Sequence, residues 1–418
     1  MILVAEILCV GTELLLGNIV NTNATYLAQI CAKTGVSVYY QSCVGDNESR
    51  LLEAINTALN RSDVLILSGG LGPTKDDLTK ECVAKALDLP LIEDNSVRKS
   101  IEDYFKRIGR TSITDNNWKQ ALVPEGAKVL TNRNGTAPGL IIKKDSKHII
   151  LLPGPPIELI PLVEEEVLPY LASLQDMTIY STMVKLAGIG ESKVETMILD
   201  LIDGQTNPTI APYAKLGEVH LRVTAAAKDI ETAKELSMPI IDELVRRFGN
   251  YIYSFEEDKK LEDVVVDLLN RYHLTITTAE SCTGGLVSSR LINVTGASSV
   301  IKQGFVTYAD EAKQKYLQVK QETLDQYTAV SNKTAEEMAI GAALTTGSEV
   351  SVSVSGLAGP DGGTDTIPVG TVFIGCYCKD KALVKEFHFS GNRNKVRESA
   401  VIAALNLVRI CILENYKN

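Results

Sequence analysis

Histidine is scarce: the 418 residues include only four, and they are scattered, so a serine–histidine–aspartate relay has little to build on. Nor do the eight cysteines, Cys9, Cys31, Cys43, Cys82, Cys282, Cys376, Cys378 and Cys411, contain a C-x-x-C pair. A structural zinc site is therefore unsupported, and the expectation is buried free thiols in a reducing cytosol. No apolar run reaches the roughly 18 residues of a membrane-spanning helix. The opening stretch MILVAEILCVGTELLLG carries Glu6 and lacks both a basic start and a small-residue cleavage site, so it reads as a buried first strand and not as a signal peptide. Positive charge is short too. Lys plus Arg number 42 against 52 Asp plus Glu, for a net charge of -10, which disfavours direct nucleic-acid binding. There is no internal repeat and no low-complexity tract. What is present is ordinary: 45% hydrophobic and 22% charged residues, as in a globular chain of two or three domains.

The residue patterns predict an α/β protein. Strands at Ala5 to Val10, Ser37 to Cys43 and Val64 to Ser68 alternate with helices at Asn23 to Thr34 and Arg50 to Asn60, the rhythm of an open, mainly parallel sheet. A helix from Ser96 to Ile108 and strands at 128–130, 139–143 and 148–152 follow, then a helix from Ile157 to about Leu171. From about Asp176 the pattern becomes a small α+β arrangement, with strands at 179–186, near Thr209 and at 219–226 and helices at 192–202 and 230–248. The charged run Glu256-Glu257-Asp258-Lys259-Lys260 holds nothing apolar to anchor it and reads as a linker. Beyond it come a helix at 261–272, strands at 274–278, 300–307, 350–355 and 370–378, and a last helix at 395–413.

Two places carry chemistry. At the end of the third strand stands Ser68-Gly69-Gly70-Leu71-Gly72-Pro73-Thr74-Lys75-Asp76-Asp77. Glycines there let backbone N–H groups face an anion such as a phosphate, although a tight turn would look alike. Asp76 and Asp77 would repel that phosphate unless a divalent ion such as magnesium stood between them. The turn Gly11-Thr12-Glu13 leaves the first strand, from which Glu13 can reach the same crevice, and Asn134-Gly135-Thr136 suits a third ligand contact or a plain hairpin.

The second place is Thr278-Ala279-Glu280-Ser281-Cys282-Thr283-Gly284-Gly285, a strand-to-helix turn that exposes a hydroxyl and a thiol where free helix N–H groups could hold an oxyanion. With no suitable histidine, a buried neutral lysine is the candidate base, and Lys313, after Tyr308, is placed for it unless it is a solvated helix residue. Cys282 competes as nucleophile, or is a small buried neighbour of the serine. Ser355 and Gly356 offer a hydroxyl and backbone groups, and Arg393 and Arg397 at the last helix start suit a phosphate.

In order along the chain, GTELLLG, SGGLGPTKDDLT, NGTAPGL, LLPGPP, TTAESCTGG, GFVTYADEAK and SGLAGPDGG resemble the CinA family of competence- or damage-inducible proteins, and the resemblance spans essentially the whole chain. It implies three segments. Residues 1–172 would be a molybdenum-cofactor-biosynthesis-like domain cleaving ADP-ribose to AMP and ribose 5-phosphate. Residues 173–254 would be a KH-like connector, and 259–418 a deamidase turning nicotinamide mononucleotide into nicotinate mononucleotide and ammonia. Carried over, Ser281, Tyr308 and Lys313 are catalytic, with Cys282, Thr283, Gly284, Gly285, Ser355, Gly356, Arg393 and Arg397 around the substrate and no cofactor. In the first domain Asp76 and Asp77 act, Glu13, Asp76 and Asp77 hold a divalent metal such as Mg2+, and Gly11, Thr12, Gly69, Gly70, Gly72, Thr74, Gly135 and Thr136 bind substrate. The resemblance implies a cytoplasmic homodimer with nucleotide substrates and no membrane partner. One departure is Tyr308-Ala309-Asp310, where the family often has Tyr-Ser-Asn. The rival expectation is a non-catalytic pterin- or nucleotide-binding protein that acts through protein partners.

Overall fold

In the first strand the alternate residues Leu8 and Val10 belong to one apolar cluster and Ile7 and Cys9 to another, and the same split recurs at Leu65 and Leu67 against Val64 and Ile66. A period of two with both sets buried means a sheet covered on both faces, as parallel sheets require. The computed structural model describes residues 3–110, 112–175 and 177–416; Asp176, where the sequence pattern changes, lies outside the described residues. It shows a six-stranded sheet in the order Ser37–Val44, Val4–Val10, Val64–Ser68, Lys147–Leu152, Gly139–Lys144, Lys128–Leu130. The first four strands are parallel and the last two antiparallel. Glu6, buried in the first strand, is neutralised by the Arg61 guanidinium at 2.7 Å.

The chain divides into two compact units: one runs up to Tyr180 and takes in Ala226–Lys234, and the other comprises Ser181–Ala225 and Glu235 onward. Most of the small α+β segment thus belongs with the C-terminal part. Its sheet runs Thr209–Lys215, Glu218–Ala227, Thr178–Ala187, Ile252–Ser254. The charged run after it is not a loose linker. The Lys185 ammonium, 4% exposed, donates to the carbonyls of Glu257 and Lys259, and Arg222 pairs with Glu257 at 3.0 Å. Backbone carbonyls supply the anchor that apolar side chains lack.

The second unit also holds a five-stranded sheet, Ile301–Val306, Ile276–Glu280, Val350–Gly356, Thr371–Cys378, Lys381–His388, the first three parallel and the rest antiparallel. One face is covered by helices Leu261–Arg271 and Arg393–Tyr416, the other by Met338 and Ala342 of helix Asn332–Thr346. The strand expected at 274–278 lies two residues later, because the preceding helix ends at Arg271 and His273 turns the chain with φ 55°. Seven of the eight free cysteines are buried; Cys43 is exposed, against expectation, at the outer strand of the first sheet. Among the described residues no helix is long and apolar enough to cross a membrane.

Candidate active sites

In the first unit three adjacent parallel strands end together, and the loops that leave them enclose a cavity of about 410 Å³. Gly69 has φ 102°, and a Cβ there would lie 2.2 Å from the Val10 carbonyl, so only glycine lets the loop fold back over the first strand. Its N–H is taken by the Leu152 carbonyl at 3.0 Å. Among the described residues the N–H groups of Gly70, Leu71 and Gly72 have no acceptor, which leaves them available to an anion.

Of the residues singled out from sequence, Gly11, Glu13, Gly69, Gly70, Gly72, Thr74, Asp76, Asp77 and Thr136 line this cavity. Thr12 and Gly135 do not; each instead sets a carboxylate that does. Thr12 binds Asp46 through both its N–H and its hydroxyl, at 2.9 and 2.8 Å, and Gly135 leaves room for Glu158, whose carboxylate would lie 2.0 Å from a Cβ. Asp46, Glu158 and Gln120 were not legible as site residues. Gln120 donates to the Leu71 carbonyl, while its buried Oε1 has no partner among the described residues. Burial pushes the Glu158 carboxyl above its ordinary range, against a hydrogen bond from Asn132 that lowers it.

One Asp77 oxygen accepts from both the N–H and the hydroxyl of Thr74, at 2.9 and 2.6 Å, leaving its other oxygen free of that turn. Glu13, Asp76 and Asp77 share the cavity but do not converge into a ligand set: among the described residues no three such side chains are grouped closely enough to hold a metal ion. These hard carboxylate oxygens fit a magnesium-like ion only where substrate oxygens or water complete its shell, the usual arrangement for that ion.

In the second unit the carboxyl ends of three parallel strands again meet. Ser281 N–H donates to the Val354 carbonyl at 2.9 Å and Thr307 N–H to the Glu280 carbonyl at 2.8 Å, which fixes the Ser281 turn beside Thr307 and Tyr308. The Ser281 hydroxyl has no hydrogen-bond partner among the described residues. Lys313 is 1% exposed and so is not a solvated helix residue; its ammonium reaches the Tyr308 carbonyl at 3.2 Å and Asp310 at 3.3 Å. Arg393 joins the Tyr308 hydroxyl at 3.4 Å to the Gly359 carbonyl at 2.8 Å. The hydroxyls of Thr283 and Thr307, both buried, have no partner among the described residues. Orphaned buried donors at such a point call for a ligand or water.

Three expectations change here. The helix N–H groups are not free, because Glu280, fully buried at the strand end, accepts from Gly285, Val287 and Ser288 N–H and from the Ser288 hydroxyl at 2.7–3.0 Å. Its position, one residue before the serine and a few before the helix, was the signal that sequence reading passed over. Ser355 is also spent: Ser351, Ser353 and Ser355 donate to the carbonyls of Ala339, Ala335 and Ala329, pinning helix Asn332–Thr346 and its lead-in, and a Cβ on Gly356 would strike the Thr371 carbonyl at 2.7 Å. Arg397 holds the carbonyls of Cys282 and Thr283 at 3.0 and 2.8 Å, so it supports the turn rather than standing open to a phosphate. Burial raises the Cys282 thiol to about 11, against the lowering effect of nearby backbone N–H groups and Arg397.

Family models match in three segments: "Probable molybdopterin binding domain" over residues 6–173, "Damage-inducible protein CinA KH domain" over 181–254 and "CinA C-terminal domain" over 258–412. A protein of Clostridium beijerinckii named as competence-damage inducible is 51% identical, over 98% of this chain and all of its own. One of the same name from Caldicellulosiruptor bescii is 51% identical over 99% of this chain, and a CinA-like protein of Kosmotoga olearia 49% identical over 98%. The crystal structure of a competence/damage inducible protein from Agrobacterium tumefaciens is 36% identical, covering 36% of this chain and 93% of its own with a TM-score of 0.36.

Proposed function

Because the chain belongs to the CinA family, matched along nearly its full length, we propose that it is a two-site hydrolase of pyridine-nucleotide breakdown products. The second unit would deamidate nicotinamide mononucleotide and the first would cleave ADP-ribose. What supports the reading is an unpartnered Ser281 hydroxyl on a turn whose preceding residue, Glu280, is bonded to Thr307, next to the Tyr308 carbonyl that the buried Lys313 holds. In this reading the Ser281 oxygen attacks the carboxamide carbon as its proton passes to a neighbouring base, the role for which the buried Lys313 is the candidate. The nitrogen takes the proton as ammonia leaves, and water then releases the carboxylate from the serine ester.

In the first unit the free N–H groups of Gly70, Leu71 and Gly72 suit phosphate oxygens, and the orphaned Gln120 oxygen suits a ribose hydroxyl or an amine. Asp76, Asp77 and Glu13 would hold the divalent ion, which when bound offsets the charge of two phosphates. Turnover of both compounds by purified protein, with and without excess chelator, tests the proposal. Chelation should abolish ADP-ribose cleavage and leave ammonia release largely intact, and Asp77→Asn should depress the first alone. Unchanged ADP-ribose turnover under chelation removes the metal from the account, and no product from either compound favours the rival binding role.

A further inference from the structure

A cavity of about 720 Å³ in the second unit lies away from Ser281, between the connector segment and helix Arg393–Tyr416. Its size is that of a small-molecule site. Three lysines, Lys215, Lys385 and Lys395, line it, and none has a carboxylate partner among the described residues. Two glutamates line it as well; Glu218 is engaged by His220 at 3.2 Å, and Glu191 stands exposed at a helix start. Ser399, 8% exposed, faces the cavity, and its hydroxyl has no partner among the described residues. Phe387 and Phe389 stack in its wall, with ring centres 5.6 Å apart and planes 7° from parallel, and Ile402 and Leu407 supply an apolar floor. The wall is closely built: a Cβ on Gly188 would lie 2.5 Å from the Asn406 amide, and one on Gly217 2.9 Å from Ile402.

We propose that this cavity binds an organic anion with an aromatic body, of the nucleoside monophosphate class, with the ring against Phe387 and Phe389 and the anionic group among the three lysines near Ser399. The helix gives the site a route to the other one. Lys395 and Ser399 face the cavity, while Arg393 and Arg397, each also four residues apart on that helix, hold the Tyr308 hydroxyl and the Ser281–Gly285 turn.

Hydrogen exchange of the full chain with millimolar AMP tests this, because it separates the cavity from the glycine loop of the first unit. AMP should protect residues 214–219 and 385–406. Lys215→Glu with Lys385→Glu, both exposed and outside the proposed catalytic groups, should weaken AMP at this site on the order of tenfold, leaving any protection of residues 69–78 unchanged. Ser399→Val should weaken it roughly fivefold through one lost hydrogen bond. No protection at 214–219 and 385–406, or protection that persists in the double variant, would overturn the proposal, and neither result bears on turnover at Ser281.

Discussion

Glu158 shows how burial turns a carboxyl into a measurable quantity. Desolvation raises its pKa above the ordinary value of 4.5 despite the Asn132 hydrogen bond. A carboxyl whose folded pKa is raised contributes its full stability below the unfolded pKa, and that contribution is lost as pH rises through the folded pKa. Glu158→Gln keeps the acceptor for Asn132 and removes the titration. Its urea midpoint should therefore match the parent at about pH 4 and exceed it at about pH 8. A difference independent of pH would mean that the carboxyl is not desolvated. Cys282 illustrates the opposite use of a raised pKa: a thiol held near 11 is almost wholly protonated at neutral pH, which disfavours it as a nucleophile beside Ser281.

At the scale of elements, the Glu280 cap binds the central strand to the helix that follows it. Four donors converge on one buried carboxylate, so Glu280→Gln, which turns an acceptor oxygen into a donor facing other donors, should cost about 2 kcal/mol. A denaturation midpoint equal to the parent's would show that the cap is not needed. The parallel strands were legible because Val64–Ser68 and Val350–Gly356 are short runs that end at a glycine. Helix Asn332–Thr346 was missed since its small residues, Ala335, Ala339, Gly341, Ala342 and Ala343, are buried without a clear apolar stripe. Strand Lys381–His388 was missed because it is a sheet edge of largely exposed residues. The candidate sites followed the same rule. Glycine turns and strand-end hydroxyls announced themselves, whereas Asp46, Glu158 and Gln120 come from loops and helices remote in sequence, brought in only by packing.

Over the whole molecule, the second unit depends on polar ties that cross the charged run. Arg409, 2% exposed and pulled down to about 10 by burial, donates to the carbonyls of Asn250 and Ile252. A fragment beginning at Ser181 keeps those partners, and one beginning at Lys259 loses them. The shorter fragment should unfold at lower urea than the longer one, because it lacks the acceptors that Arg409 holds in the intact unit. Equal midpoints for the two fragments would make the connector dispensable. The proposed amide hydrolysis through Ser281 is tested most directly by ammonia release from nicotinamide mononucleotide. Ser281→Ala should lose several orders of magnitude, Lys313→Met should behave alike if the lysine is the base, and Cys282→Ala should keep most of the activity. An inactive Cys282→Ala beside a Ser281→Ala near the parent's rate would contradict the account and make the site a thiol amidase.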